Sequence, residues 1–273
     1  MLNFESEISL MFPKKSFSQN FLHDEKVVSN IVQLGQANTF DWIVEIGAGE
    51  GVLTEALAQE GAHIVALEFD RDLIPGLLRR FPLASPVSLV EADILRANIP
   101  EILQQKGYEV GDSWAVFGNI PYAITGKILR ILVSLADIPD SIVLMMQKEV
   151  AERIVAHNHR QSLLSLSVAL FGEAEILFAV QKEAFFPAPQ VESAVIRITP
   201  NKHCLPLEER EHILRLAKIG FASKRKTLLN NFSAHHAYSR ELLIHFLESI
   251  GKTPSARAEE LSAEEWKQFA QHF

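Results

Sequence analysis

From Asn20 to about Thr199 the chain alternates short apolar runs with stretches of helical pattern, and this alternation restricts the fold more than any other feature. WIVEIGAG, HIVALEFD, VSLVEADIL, SWAVFGNIPY, DSIVLMMQ and AVIRITP each open with an apolar run of strand length, rich in β-branched residues. Between them, GVLTEALAQEG, RDLIPGLLRRF, TGKILRILVSLA and the residues from about Lys148 read as helices, the second broken by its Pro-Gly pair. Strands separated by helices pair in parallel, and the helices cover both faces of the sheet, so the strands can be apolar throughout. Ligands of such sheets sit beyond the carboxyl ends of the strands. After Pro200 the texture becomes helical: LPLEEREHILRLAKIGFASKRKTLLNNF, SRELLIHFLESIG and SAEEWKQFAQHF, with Gly251 as a C-cap and Ser262 to Glu265 as a capping box. The expected organisation is therefore an α/β domain over residues 1–200 and a small all-helical domain over residues 201–273, divided near 201–205.

The first strand runs into glycines at 47, 49 and 51. One glycine suffices for an ordinary strand-to-helix turn, so three at alternate positions imply that backbone approaches a ligand closely. The dinucleotide fingerprint G-x-G-x-x-G does not fit, because its sixth position is Val52. E-x-G-x-G-x-G is instead the pattern of methyltransferases that use S-adenosylmethionine. Glu68 closes the next strand, about 20 residues after Gly47, where a ribose-binding acid belongs. Asp93 closes the strand after that and can accept from an adenine amino group. Two carboxylates in order at successive strand ends, behind a glycine turn, describe an adenosine site.

Six segments, KKSFSQNFL (14–22), EIGAGEGVLT (45–54), EADIL (91–95), GNIPY (118–122), AFFPAPQVESAV (184–195) and FASKRKTLLNN (221–231), resemble in order the motifs of the rRNA adenine N6-dimethyltransferases. The resemblance runs through nearly the whole chain. It implies a Rossmann-like methyltransferase domain that uses S-adenosylmethionine, releases S-adenosylhomocysteine and needs no metal. It places Asn20, Leu22, Gly47, Gly49, Glu68, Asp93 and Asn119 around the cofactor. It makes Asn119, Ile120, Pro121 and Tyr122 the corner that receives the target adenine, with Phe185 as a second stacking ring and Phe186 free to pack into the core. In isolation N-x-P-Y is a turn after a strand; downstream of an adenosine site it has a chemical use. The N6 amine is a poor nucleophile because its lone pair is delocalised into the ring. Acceptors at the Asn119 side chain and the Ile120 carbonyl would hold its hydrogens and aim that pair, while Pro121 fixes the backbone and Tyr122 offers a face to the base. Departures from the family pattern are Ser18, where glycine is common, and Gln190, where a lysine is common.

The RNA partner poses an electrostatic problem. Net charge is −8, from 26 Lys plus Arg against 34 Asp plus Glu, the wrong sign for binding phosphates. The cations are clustered, however: Arg215, Lys218, Lys224, Arg225 and Lys226 fall between Leu214 and Asn230 with no acid among them. A screening length of ~8 Å lets such a face act locally. Lys218, Lys224, Arg225 and Lys226 are the expected RNA contacts. The C-terminal motifs resemble the branch of the family that dimethylates two adjacent adenosines near the 3′ end of small-subunit rRNA during ribosome maturation, so immature small subunits are the expected partner. The alternatives are the branch that methylates large-subunit rRNA and confers antibiotic resistance, and a small-subunit assembly factor without catalysis. The acidic start, the single Cys204 and the lack of a long apolar run point to a soluble, cytoplasmic monomer with no membrane partner and no multi-cysteine zinc site. His157, His159, His235 and His236 have no carboxylate or cysteine spaced to complete a metal site.

Overall fold

The computed structural model describes residues 20–155, 161–201, 204–234 and 238–273. Ser18, the N-terminal residues around Met11, and His157, His159, His235 and His236 lie outside them. A seven-stranded sheet forms the frame, with strands β2 (Trp42–Ile46), β3 (His63–Glu68), β4 (Val87–Glu91), β5 (Trp114–Asn119), β6 (Ser141–Gln147), β7 (Gly172–Val180) and β9 (Ser193–Pro200). Their order is β4-β3-β2-β5-β6-β9-β7. The pairs from β4 to β6 are parallel, and β9 runs antiparallel to both β6 and β7. Each parallel crossover is a helix: α2 (Val52–Ala58), α3 (Ile74–Arg80), α4 (Ile99–Lys106) or α5 (Thr125–Leu132). All of β2 is buried, and one cluster of apolar side chains packs on each face of the sheet. This double cover is the reason the central strands read as unbroken apolar runs.

Helix α1 (Glu25–Leu34), helix α4 and strand β7 are among the elements that the sequence pattern does not anticipate. Helix α1 is rich in β-branched residues, yet Asp24 caps it by accepting from the N–H groups of Lys26 and Val27. Its Val28, Ile31 and Val32 form a single buried stripe. Helix α4 buries only Ile99 and Leu103. The apolar pattern of strand β7 is broken by Glu173 and Glu175 because it is an edge strand with one wetted face. LLSLSVALF, whose composition suits strand or helix, is helix α7 (Leu163–Phe171), started by a Ser162–Ser165 capping box.

The C-terminal residues form α8 (Leu207–Gly220), α9 (Leu228–Ser233), α10 (Arg240–Ser249) and α11 (Ala263–His272) around Trp266, Phe269, Phe232 and Phe246. Two findings adjust the expected picture. Leu166 and Leu170 of α7 belong to this second core, so the two bodies share a helix. The basic run is only partly helical: α8 carries Arg215 and Lys218 but stops at Gly220, and residues 221–227, with Lys224, Arg225 and Lys226, form a turn before α9.

Arg210 of α8 fastens the two bodies together. It is 4% exposed, and no carboxylate accompanies it among the described residues. Instead Nε donates to the Leu205 carbonyl at 2.9 Å, Nη1 donates to the Val133 carbonyl, and the guanidinium lies 5.5 Å from the centre of the Phe171 ring. Val133 is the C-cap of α5, so the cation also meets the negative end of that helix. Arg210→Ala should lower unfolding stability by about 2 kcal/mol or more, because two buried carbonyls lose a charged donor. Arg210→Lys should recover only part, since one ammonium cannot span both carbonyls. Urea denaturation of the three proteins checks this.

Candidate active site

Because β2, β3, β4 and β5 are parallel, their carboxyl ends share one edge of the sheet, and a cavity of about 320 Å³ opens there. Gly47, Gly49, Glu68, Asp93, Asn119, Ile120, Pro121 and Tyr122 all line it, and so does Asn20. The glycine turn has φ of 77°, 58° and 82° at Gly47, Gly49 and Gly51, all left-handed. A Cβ at Gly51 would also stand 2.7 Å from the Phe81 ring. The turn is tied to β3 by Gly47 and Ala48 N–H groups, which both donate to the Leu67 carbonyl.

Glu68, 6% exposed, is held from two sides: Gly49 N–H donates to Oε2 at 2.8 Å and Asp70 N–H donates to Oε1 at 2.7 Å. Burial raises its pKa, and these backbone donors oppose the rise. Each oxygen keeps acceptor capacity for a further donor, such as a diol. Asp93 Oδ1 accepts from Leu95 N–H at 2.9 Å, which fixes the carboxylate just past the end of β4.

Asn119 is the last residue of β5. Its Nδ2 donates to the Asn20 carbonyl at 3.1 Å. Only the amide nitrogen can donate to a carbonyl, so this bond sets the flip of the side chain and leaves Oδ1 as its acceptor. Ile120 is anchored by its N–H to the Met145 carbonyl at 3.3 Å, and Pro121, with φ −58°, turns the chain into a short 3-10 helix. The half-buried Tyr122 hydroxyl lies 2.5 Å from Ser193 Oγ.

Two expected site residues are not brought to the cavity. Leu22 is 6% exposed and Phe185 3%, both packed in the core. The cause is the pairing of the two-residue strands β1 (Phe21–Leu22) and β8 (Phe185–Phe186), in register Phe21↔Phe186 and Leu22↔Phe185. Cross-strand partners share a face and neighbours along a strand alternate, so Leu22 and Phe185 turn inward together. Phe21 lines the cavity instead, and Phe186, expected in the core, is 59% exposed. Pattern reading also missed Phe69, Asp70, Ile94 and Leu95 of the lining. The signal for these was their position immediately after Glu68 and Asp93 at the strand ends.

Lys218, Lys224, Arg225 and Lys226 are all exposed, and none lines the cavity. Buried Asn231 holds the basic turn, its Nδ2 donating to the carbonyls of Gly220 and Ser223. Among the described residues no group of three or more His, Cys, Asp or Glu could hold a metal ion, and no helix is long and apolar enough to cross a membrane.

Glu45 lies behind the glycine turn, 1% exposed. Burial pushes its pKa up to about 8, opposed by the neighbouring Thr54 hydroxyl and helped by a smaller repulsion from Glu68. The folded chain therefore keeps a proton that the unfolded chain releases near pH 4.5. Stability should fall as pH rises from about 4.5 to 8, by on the order of 1 kcal/mol per unit, and level off above. Glu45→Gln should flatten that slope in thermal unfolding measured from pH 5 to 8.

The model of the family described as "Ribosomal RNA adenine dimethylase" matches residues 12–273. A relative from Dehalococcoides mccartyi, 34% identical over 93% of this chain and 86% of its own, is named ribosomal RNA small subunit methyltransferase A. Relatives from Nostoc (36% identical; 94% of this chain, 97% of theirs) and Rippkaea orientalis (37%; 94% and 96%) carry the same name. Among solved structures, a dimethyladenosine transferase from Plasmodium falciparum superposes with a TM-score of 0.74 at 21% identity, covering 92% of this chain and 98% of that one. The 23S rRNA methyltransferase ErmE does so at 0.70 and 23%, covering 93% and 99%. With the glycine turn, the two carboxylates and the Asn119 corner on one sheet edge, and a match over nearly its whole length, the chain belongs to the ribosomal RNA adenine dimethylase family.

Proposed function

We propose that this protein transfers methyl groups from S-adenosylmethionine to N6 of two adjacent adenosines near the 3′ end of small-subunit rRNA, releasing S-adenosylhomocysteine and using no metal. The observation that carries the reaction is the Asn119 amide, whose nitrogen is engaged by Asn20 and whose oxygen is left to accept. The names of the 34–37% identical relatives support the small subunit as the target. Its immature particle is the partner, and the protein works as a cytoplasmic monomer.

The residues present fit the cofactor. Glu68, fixed by Gly49 and Asp70 N–H groups, accepts from a ribose diol, and Asp93 accepts from an adenine amino group. When bound, the cofactor supplies a methyl carbon on a sulfonium, already activated toward displacement. The chain's task is then orientation and the exclusion of water. Asn119 Oδ1 and the Ile120 carbonyl take the two N6 hydrogens, which turns the amine lone pair out of conjugation and toward that carbon. Tyr122 stacks on the flipped base. Phe186 is the ring that stands exposed beside β1, whereas Phe185 would have to leave the core to stack. Residues 1–200 form the methyltransferase domain and residues 201–273 the rRNA-binding domain. Lys218 and the turn Lys224, Arg225 and Lys226 are the phosphate contacts that offset the chain's negative charge locally.

Labelled S-adenosylmethionine with under-methylated small subunits should yield dimethyladenosine on digestion, and Asn119→Ala should abolish it while cofactor binding persists. Transfer to large-subunit rRNA instead would place the protein in the antibiotic-resistance branch; binding without transfer would make it an assembly factor. Replacing Lys224, Arg225 and Lys226 with alanine should weaken subunit binding and reduce the dependence of log K on log salt by about 3, as counterion release predicts.

A further inference from the structure

Ser193 belongs to no part of the chemistry described so far. It is the first residue of β9 and is 0% exposed. Backbone pairing holds it on both sides, opposite Gln147 at the end of β6 and Val180 at the end of β7. Because β9 is antiparallel, its first residue lies at the sheet edge where β5 delivers Asn119. The row Asn119–Met145–Val195 crosses the sheet there, and Ser193 stands two residues further out. From this position its hydroxyl meets that of Tyr122 at 2.5 Å.

Tyr122 has no comparable support of its own. It sits in a three-residue 3-10 helix that has no side-chain cap, directly after Pro121. Packing confines an aromatic ring, but the tilt of its plane is set by whatever holds its far end, and here that is one hydrogen bond. The same strand entry continues the segment that carries Phe186, and the neighbouring Glu192 is fixed by Lys148, whose Nζ and backbone N–H donate to its carboxylate and carbonyl. Ser193 thus ties the Tyr122 wall of the cavity to a rigid strand.

We propose that Ser193 is a positioning residue for methyl transfer: through Tyr122 it sets the plane on which the target adenine stacks, and hence the direction in which N6 points. This rests on the reading above that Tyr122 faces the target base. A ring tilted by the loss of its anchor still accepts a base, but presents N6 off line to Asn119 and Ile120. The defect should therefore appear in turnover rather than in binding.

The test is a double-mutant cycle with Ser193→Ala, Tyr122→Phe and both together, measured on whichever rRNA the unmodified enzyme methylates. A mistaken choice of substrate would then show in the unmodified enzyme, and a mistaken role for Ser193 only in the variants. Each single variant should lose about tenfold in kcat, as a misaligned reactant does, with KM for RNA and the Kd for S-adenosylmethionine unchanged. The double variant should be no worse than either single one, because all three remove the same bond. Tyr122→Phe leaves the buried serine untouched, so it reports on the bond even if Ser193→Ala folds poorly. Full kcat in both single variants, losses that multiply in the double, or a defect confined to KM or to cofactor affinity would overturn the assignment.

Discussion

Parallel pairing of β2 with β3 on one side and β5 on the other is the constraint on which the site depends. In a parallel sheet every strand ends at the same edge, so Glu68 and Asn119, the last residues of β3 and β5, converge with Asp93, just past the end of β4, although they are far apart in sequence. The glycine turn completes the convergence. Its left-handed backbone lets Gly49 present an N–H to Glu68 with no side chain between them. Were β3 paired in another register, the acid and the N–H that steadies it would separate, and the buried carboxylate would be left without its donors.

Keeping acids at that edge has an energetic cost. Glu68 is stabilised by backbone dipoles, whereas Glu45, one turn deeper, is simply desolvated and kept neutral. Two acids of the same type in adjacent strands thus meet different surroundings. The difference lies in the supply of N–H donors, which the glycine turn provides for one and not for the other. A neutral Glu45 also spares Glu68 a like charge behind it.

The helical body is built on a different economy. Its core is aromatic, with the rings of Trp266, Phe232 and Phe246 all packed on Phe269, and it shares α7 with the α/β body rather than hanging from a linker. Arg210 bridges the two through carbonyls and the Phe171 ring, a use of charge that adds direction without a paired acid. The basic turn that follows α8 owes its shape to the Asn231 amide, so exposed cations are presented on a turn of fixed geometry.

The sequence by itself determined the α/β order, the helical tail, the glycine turn, and Glu68, Asp93 and the Asn119–Tyr122 corner as candidates, because strand runs, glycine spacing and strand-end position are local properties of the chain. Tertiary structure alone decided which face of each short strand looks inward. Leu22 and Phe185 were read as site residues, yet the antiparallel register of β1 with β8 turns both into the core and leaves Phe21 and Phe186 outside. It decided equally that Lys224, Arg225 and Lys226 stand on a turn and not on a helix, since the Asn231 amide donates to the carbonyls of Gly220 and Ser223. Ser193 makes the same point: it lies in a motif segment that does not say what it meets, and only the packing of β9 beside β6 brings its hydroxyl to Tyr122. Periodicity records how a residue relates to its neighbours in the chain, whereas the facing of a side chain depends on partners that the fold supplies from a distance.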